Sequence, residues 1–232
     1  MERVQEDFEN RVGEIETYFQ VLADLTAQGT TITRSLKNGT RSEALDTEVI
    51  ETLKATSFLL LYNLVESSIR SGFAKIYESI NGEVANLNGL REEYRKVWVE
   101  QKFTNMQTVS ANQQSYRALV LEIVQSLVDG EPLELDPEKL KISGNLDAEQ
   151  IRTLLGKHAV ASHAHHQAFG GGELSTVKSQ RNALAHGNLS FIECGRNYSV
   201  TDLVRIKRRT IIFIRSALRN IKKYVEKKQY AA

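Results

Sequence analysis

The scarcity of proline is the sequence feature that most restricts the fold. Only two prolines occur among the 232 residues, and they stand five positions apart, at Pro132 and Pro137. Because proline ends or kinks a helix, long stretches of the chain are free to be helical. Leu, Ala, Glu, Lys, Arg and Gln, which are good helix formers, are plentiful. The sequence therefore predicts an all-α fold, and a hydrophobic content of 41% suffices for a sizeable core.

The chain has none of the sequence features of a membrane or secreted protein. Its mean hydropathy is −0.35, and no apolar run approaches the roughly 20 residues of a membrane span. The first seven residues are too acidic and polar for a signal peptide. Cys194 is the only cysteine, so no disulfide can form within the chain. We expect a cytoplasmic protein that is not associated with a membrane.

Apolar periodicity predicts where the helices lie. An amphipathic helix is expected over 1–27, with its apolar face formed by Phe8, Val12, Ile15, Phe19 and Leu22. Further helices are predicted, after a polar turn region at 29–39, near 42–80, 90–101, 116–128, 147–155, 174–186 and 201–228. The stretch 129–145, with both prolines, is the best loop candidate, and a small β-hairpin is possible at 189–200.

We expect one domain over 1–232. Within it, 1–40 forms an acidic N-terminal helix and turn, 83–139 is an insertion, and 173–228 holds a motif helix and a basic C-terminal helix.

Charge is distributed unevenly along the chain. Residues 1–27 hold seven acids against two bases, a net charge of −5, and residues 196–228 hold eleven bases against two acids, a net charge of +9. A concentrated positive field suggests a polyanionic partner. The alternative is a solvated helix face that answers the acidic N-terminal helix.

Polar residues interrupt an apolar stretch in the long second helix. Asn63 and Glu66 lie within Phe58–Ile69, and Arg70 follows at a spacing that places all three on one side of a helix. A carboxylate on a buried face is costly unless it is paired. Glu66 is therefore predicted either to hold a catalytic cation from another helix or to form an exposed i, i+4 pair with Arg70.

The segment Ser179–Gly187 brings a guanidinium and an imidazole to the end of a short helix. Asn182 and His186 share a face, whereas Arg181 and His186 are about 140° apart on an ideal helix and could converge only where it ends. Histidine titrates near neutral pH and suits acid–base catalysis, and arginine offers a planar cation for a phosphate. A purely structural interpretation is also open, because the dipole of a helix favours cations at its C-terminus.

Four histidines precede this helix: His158, His163, His165 and His166. Imidazoles bind transition metals, but Glu173 is the closest carboxylate and no cysteine is near, so a three-ligand catalytic site is not evident. We predict a polar loop, with no metal and no cofactor. Residues 170–172 lack the Lys-Ser/Thr of a phosphate-binding loop, and Cys194 is predicted to be a turn or packing residue.

Three blocks of sequence resemble a known superfamily. Arg181–Asn188 reads Arg-Asn-Ala-Leu-Ala-His-Gly-Asn and resembles the Arg-x4–6-His signature of the HEPN superfamily, in the form with Asn after the Arg and Gly after the His. Phe58–Arg70 is similar to the upstream helix of a small prokaryotic branch, which Gly195–Tyr198 and the final helix also fit. The resemblance covers about 44–80 and 140–224.

The resemblance implies a helical bundle that is usually a homodimer, in which the motifs of two subunits face each other across a cleft. Many members are metal-independent endoribonucleases, found as toxins of toxin–antitoxin pairs or in phage defence. We therefore expect RNA as the substrate and a cognate antitoxin protein as a possible partner. The implied reaction is attack of the RNA 2′-hydroxyl on the adjacent phosphate, which leaves a 2′,3′-cyclic phosphate and a 5′-hydroxyl.

The resemblance also implies roles for single residues. His186 would be the general acid–base, Arg181 would stabilise the charged phosphate, and Asn182 would orient His186 or the substrate. Glu66, with Asn63 beside it, would hold the guanidinium of Arg181. The basic face of the final helix would hold the RNA backbone through Arg205, Arg208, Arg209 and Arg215.

One position departs from a common family pattern. HEPN proteins paired with minimal nucleotidyltransferases often carry a Tyr two residues after the His, where this chain has Asn188, so control by that route is in doubt. The rival hypothesis is a non-catalytic HEPN interaction module, antitoxin-like or RNA-binding, in which Arg181 and His186 are structural. Composition does not separate the two.

Overall fold

A 37-residue helix, α2 (Thr47–Glu83), is the element around which the chain packs. It begins where the Asp46 carboxylate accepts a hydrogen bond from the amide of Glu48, at 2.9 Å. Its buried side is lined by large apolar side chains, among them Phe58, Ile69 and Phe73. The helix thus provides a continuous apolar surface, about 55 Å long at 1.5 Å per residue, for the other helices.

The computed structural model describes residues 1–28, 30–37, 39–107, 113–130, 134–140, 142 and 144–232, with the backbone alone for 104–107, 113–115 and 127. The other helices in this part of the chain are α1 (Glu2–Thr26), α3 (Glu92–Gln107), α4 (Gln113–Asp129), α5 (Ala148–Lys157), α6 (Gly172–Ala185), α7 (Phe191–Arg196) and α8 (Val200–Glu226). Short 3-10 turns occupy Leu87–Gly89, Pro137–Lys139 and His166–Gly171. The expected all-α class is confirmed.

Helices α1, α6, α7 and α8 all pack against α2. The α2–α8 approach is close at Gly72, where an added Cβ would meet Ile221 at 2.9 Å and Leu218 at 3.2 Å. The apolar residues predicted for α1, from Phe8 to Leu22, are buried. A three-element core of α1, α2 and α8 therefore supports the shorter helices. None of the helices described is long and apolar enough to cross a membrane.

The β-hairpin lies in a different place from the one predicted. Strands β1 (Thr31–Leu36) and β2 (Gly39–Ala44) pair antiparallel between α1 and α2, where the sequence predicted a polar turn and then the start of the long helix. Alternating Thr, Ile and Arg residues favour strands there, and α2 begins only after the Asp46 cap. Of the predicted turns and loops, Gly29, Asn38 and Pro132 lie outside the described residues.

The hairpin predicted for 189–200 is wrong, because this segment forms helix α7. Ser190 caps α7 by accepting from the amide of Glu193, and the Glu193 side chain accepts from the amide of Ser190 in return. Ser199 and Asp202 form the same reciprocal capping box at the start of α8. The two consecutive capping boxes give hydrogen-bond partners to backbone amides at the starts of two helices. They therefore stabilise helices in this segment rather than paired strands.

Candidate active site

The motif helix α6 ends in a fixed backbone conformation. The amide of Gly187, in the left-handed region at φ +69°, donates to the carbonyl of Leu184 at 3.3 Å. The amide of Asn188 donates to the carbonyl of Ala183 at 2.9 Å. These two bonds form a Schellman motif, in which glycine is favoured because of its positive φ. The helix therefore stops at His186 rather than fraying.

His186 occupies the C-cap of α6 and is exposed. Its amide donates to the carbonyl of Asn182 at 3.0 Å, so the backbone is held. Its imidazole makes no hydrogen bond or ion pair with any of the residues that the structure describes. The ring is thus fixed at its base and available to a ligand or to a second chain.

Arg181 lies about one and a half helical turns before His186. Its side chain, unlike that of His186, is engaged by other residues. Its guanidinium lies flat over the ring of Tyr62 from α2, 3.6 Å from the ring centroid. One terminal nitrogen donates to the carbonyl of Gly144, and Nε is buried without a hydrogen-bond partner. Stacking on an aromatic face and donation to a carbonyl together hold a guanidinium in one orientation.

The residues that cover Arg181 form a short segment, 144–147, which we call the strap. Asn145 accepts a hydrogen bond from the Nδ2 of Asn182 at 2.7 Å, and the Asp147 carboxylate pairs with Lys178. The amide of Leu146 donates to the hydroxyl of Tyr62 at 3.1 Å. Asp147 also caps α5, by accepting from the amide of Gln150 at 3.0 Å. The strap is therefore attached to α2, α5 and α6 at once.

The supporting contact predicted between Glu66 and Arg181 is not formed in this chain. Glu66 pairs with Arg70 at 3.5 Å instead, and both side chains are partly exposed. Asn63 is exposed as well. Asn63, Glu66 and Arg70 therefore lie on the solvent side of α2, not on a buried face, and the exposed i, i+4 pair was the correct alternative. The residues that hold Arg181 are Tyr62 and Gly144.

Three of the four arginines predicted to bind RNA are paired with acids. Arg215 donates to both oxygens of Glu9, at 2.9 and 2.8 Å. Arg205 and Arg209 share Glu173, at 3.4 and 2.8 Å. Arg208 is exposed and has no ion pair among the described residues.

Part of the basic face of α8 is engaged by side chains of helix α1. Lys207 pairs with Glu16, and Lys222 donates to the side chain of Gln5 at 3.0 Å. With the Arg215–Glu9 pair, these contacts join α8 to the acidic helix α1 along its length. The alternative in which the basic helix answers the N-terminal helix accounts for these contacts, so the net charge of residues 196–228 overstates the positive field that a ligand meets.

The four histidines before α6 do not form one cluster. His158 is buried, and both ring nitrogens are engaged, Nε2 with the hydroxyl of Tyr77 at 2.9 Å and Nδ1 with the carbonyl of Leu154 at 2.8 Å. His163, His165 and His166 are not buried. Among the described residues, no three His, Cys, Asp or Glu side chains stand close enough together to hold a metal ion.

Cys194 is buried against α6 and is a packing residue. Its thiol lies 3.4 Å from the Oε1 of Gln180. Burial raises the pKa of the Cys194 thiol to about 11, which disfavours the reactive thiolate. This agrees with the packing role expected from the sequence.

Sequence reasoning missed the residues that hold Arg181, although signals for them existed. Tyr62 lies four positions before Glu66 and so one turn along the same helix. Gly144 and Asn145 end the predicted loop and were not linked to the motif, because such contacts across 37 positions leave no local pattern. The arrangement joins a fixed, stacked cation to an unengaged imidazole at the end of one helix, a combination suited to a phosphate and a proton transfer.

Comparison with known proteins gives one match. A family model described as HEPN_MAE_28990-like HEPN matches residues 1–230, and no curated protein and no solved structure matches the chain. The match extends beyond the blocks at 44–80 and 140–224 and includes helices α1, α3 and α4. The chain therefore belongs to the HEPN_MAE_28990-like family of the HEPN superfamily, many of whose members are ribonucleases.

Proposed function

We propose that this protein is a metal-independent endoribonuclease that works as a homodimer. The observation that carries the proposal is the arrangement at the end of α6. Arg181 is stacked on Tyr62, and His186, five residues later, is exposed at a fixed C-cap. Along the helix axis the two residues are about 7.5 Å apart, but they are about 140° apart around it, so one chain does not place both groups against one phosphate.

The proposed reaction forms one phosphorus–oxygen bond and breaks another. His186 as a base takes the proton from the 2′-hydroxyl, whose oxygen attacks the adjacent phosphorus. The bond from phosphorus to the 5′-oxygen breaks, and that oxygen takes a proton from a histidine acting as an acid. The products are a 2′,3′-cyclic phosphate and a 5′-hydroxyl. A positioned proton-transfer group contributes on the order of 10²- to 10⁴-fold to such a rate.

Arg181 has the proposed role of stabilising negative charge on the phosphate. A preorganised cation needs no rearrangement during the reaction, and this is the largest benefit that a fixed dipole or charge provides. Nε of Arg181 and Oδ1 of Asn182 are buried and have no hydrogen-bond partner. Both atoms are enclosed in one chain, so a substrate would reach them only if residues 144–147 moved, and the proposed role of Asn182 in orienting the substrate requires that movement.

A second subunit supplies what one chain lacks. In one chain the ring of His186 points to solvent while Arg181 is covered by the strap, so the two groups do not line one closed site. Two copies that face each other through the ends of α6 would bring two His186 side chains to one cleft, one as base and one as acid.

The proposed biological role rests on the resemblance of the chain to other HEPN proteins. An RNA-cleaving enzyme of this kind suits a toxin of a toxin–antitoxin pair or a phage-defence protein, held inactive by a cognate antitoxin. The non-catalytic alternative, an RNA-binding or antitoxin-like module, is favoured by the covered guanidinium of Arg181. The following experiment separates the two.

The test is RNA cleavage by the purified full chain in EDTA. Wild type should cleave, and His186→Ala should lose on the order of 10²-fold or more of the rate while keeping its fold. Arg181→Lys should lose activity as well, because an ammonium is not planar and cannot stack on Tyr62. Arg11→Gln, which removes an exposed cation of α1 that has no ion pair among the described residues, is the matched control and should retain activity. The products should carry a cyclic phosphate.

Two results would contradict the proposal. Wild type that cleaves no RNA, together with tight binding to a second protein, would favour the non-catalytic module. Cleavage that requires a divalent metal, or that persists in His186→Ala, would exclude the proposed proton transfer.

A further inference from the structure

The β-hairpin between α1 and α2 stands apart from the packed core. Of its twelve strand residues, Ile32 and Glu43 are partly exposed and the other ten are exposed. A two-stranded hairpin without an apolar face to bury is marginally stable by itself in water. A protruding ribbon of this kind is therefore expected to have a partner that orders it.

The two faces of the hairpin differ in chemistry. The register pairs Thr31 with Ala44, Thr33 with Ser42 and Ser35 with Thr40, so one face carries five hydroxyl groups. Across it, Thr33 and Ser42 are hydrogen-bonded at 2.7 Å. Hydroxyl groups are common donors to phosphate oxygens and sugars in nucleic acid complexes.

The opposite face concentrates positive charge. Arg34 and Arg41 are directly paired across the strands, and their side chains are 68% and 70% exposed. Like charges opposite one another destabilise a hairpin. Glu43 contacts both, at 3.6 and 3.1 Å, and one carboxylate cannot neutralise two arginines. With exposed Lys37 at the turn, the hairpin has a net charge of +2.

This charge contrasts with that of α8. The α8 residues Arg205, Arg209, Arg215 and Lys207 are paired with acids of α1, α6 or α8 itself. The hairpin arginines share one exposed acid. Of the four arginines that the sequence assigned to RNA, Arg208 alone has no acidic partner among the described residues, whereas the hairpin keeps a net charge of +2.

The hairpin lies at the end of α2 that also carries the segment after the motif. Gly195 of α7 packs directly on the backbone of Glu51, four residues after α2 begins, and Ala44 ends the hairpin three residues before that start. Tyr62, beneath Arg181, is 15 residues further along α2, about 22 Å. A six-residue strand spans about 20 Å, a length similar to this separation.

We propose that the hairpin is an RNA-binding arm that holds the phosphate backbone through Arg34, Lys37 and Arg41. The inference rests on the proposed function, because it takes the substrate to be RNA. The hairpin has no aromatic side chain on which a base could stack. The arm therefore binds without base preference, and its contribution depends strongly on salt.

The experiment measures RNA binding separately from cleavage. A fluorescein-labelled single-stranded RNA of mixed sequence is titrated, at several salt concentrations, with full-length protein carrying His186→Ala. Adding Arg34→Gln, Lys37→Gln and Arg41→Gln should weaken binding roughly 10- to 100-fold near 0.1 M salt. The slope of log K against log salt, which is negative, should become shallower by about 2. Arg34→Lys with Arg41→Lys keeps the charge and should bind nearly as tightly as the parent protein.

The matched control removes three charges elsewhere: Arg219→Gln, Lys223→Gln and Lys227→Gln on the exposed side of α8. The affinity of this control for the RNA should differ from that of the parent protein by less than a factor of about 3. An equal loss in this control would overturn the arm, because the effect would then be one of total charge. Unchanged RNA binding in the hairpin variant would also overturn the arm. So would a protein partner that pairs with the strand edges of the hairpin whether or not Arg34, Lys37 and Arg41 are present.

The same data separate the two proposals. Cleavage by wild type combined with binding that ignores the hairpin would leave the enzyme standing and overturn the arm. Binding that depends on the hairpin, with no cleavage by wild type, would support the arm and contradict the enzyme.

Discussion

Arg181 and His186 belong to one helix but are held in different ways. Arg181 stacks on Tyr62 and donates to Gly144 of the strap, so its side chain is part of the packing between α2, α6 and residues 144–147. His186 has a fixed backbone and an exposed ring without a partner among the described residues. The fold therefore holds the side chain of Arg181 in place, whereas it holds only the backbone of His186 and leaves the ring exposed.

One sequence motif can therefore combine a residue whose side chain is engaged by the fold with a residue whose side chain is left exposed. A partly buried, engaged side chain contributes to stability whether or not it takes part in a reaction, whereas an exposed and unengaged one contributes little. Substitutions at Arg181 should therefore affect fold and activity together. Those at His186 should affect activity alone. The predictions below test this contrast.

The largest expected effect on stability compares His186 with a buried histidine, His158. Burial lowers the pKa of His158 from its ordinary 6.5 to about 4, and the neighbouring charge of Lys157 lowers it further while Glu100 and the bond to Leu154 oppose this. Above pH 6.5 the ring is neutral in both folded and unfolded chains. Between pH 6.5 and 4 the unfolded chain takes up a proton that the folded chain refuses, so stability falls as the pH falls, by about 3 kcal/mol in all.

Urea unfolding between pH 7 and pH 4 measures this loss. His158→Gln should show a loss smaller by about 3 kcal/mol than wild type, whereas His186→Ala should follow wild type. If His158→Gln does not fold, an NMR titration of the His158 ring in wild type still decides the matter. A ring that titrates near 6.5 would contradict the assigned effect of burial.

The second prediction compares the two motif residues directly. Arg181→Ala should lower the free energy of unfolding by about 2 kcal/mol, because it removes the stack on Tyr62 and leaves the carbonyl of Gly144 without its donor. His186→Ala should change it by less than about 0.5 kcal/mol. Urea unfolding at pH 7 measures both, with Arg208→Ala as a control for the loss of an exposed arginine. Equal effects at the two motif positions would break the contrast.

The helices and the motif position could be predicted from the sequence because both leave local signals. The apolar spacing from Phe8 to Leu22 corresponds to the buried side of α1, and Gly187 marks the end of α6 through its positive φ. Asp147 stands at the start of the helix predicted for 147–155, and its side chain caps α5 by accepting from the amide of Gln150. Each of these depends on residues within a few positions of one another.

The hairpin and the partners of Arg181 could not be predicted, for two physical reasons. Alternating residues such as Thr31–Leu36 form a strand or a polar turn according to whether a second strand pairs with them, and α7 was assigned to strands because the capping box of Ser190 and Glu193 was not recognised. The family resemblance implies Glu66 as the partner of Arg181, and its negative charge suits that role. An aromatic ring and a carbonyl hold the guanidinium instead, and neither is marked by charge in the sequence.

The smallest expected effect separates the two supports of Arg181, the ring of Tyr62 and the strap. Tyr62→Phe keeps the ring beneath the guanidinium but removes the hydroxyl that accepts from the amide of Leu146. It should cost about 1 kcal/mol of stability and increase hydrogen exchange at the Leu146 amide. RNA cleavage should change by less than about 3-fold, because the stack survives.

Tyr62→Leu is the matched variant, because it removes the hydroxyl and the ring together. If the ring orients Arg181, this variant should lose cleavage activity as Arg181→Lys does, whereas Tyr62→Phe should not. Equal loss of activity in Tyr62→Phe and Tyr62→Leu would instead assign the orientation of Arg181 to the strap. Arg181 would then be held by a segment of irregular backbone rather than by the central helix, and movement of residues 144–147 alone would suffice to release it.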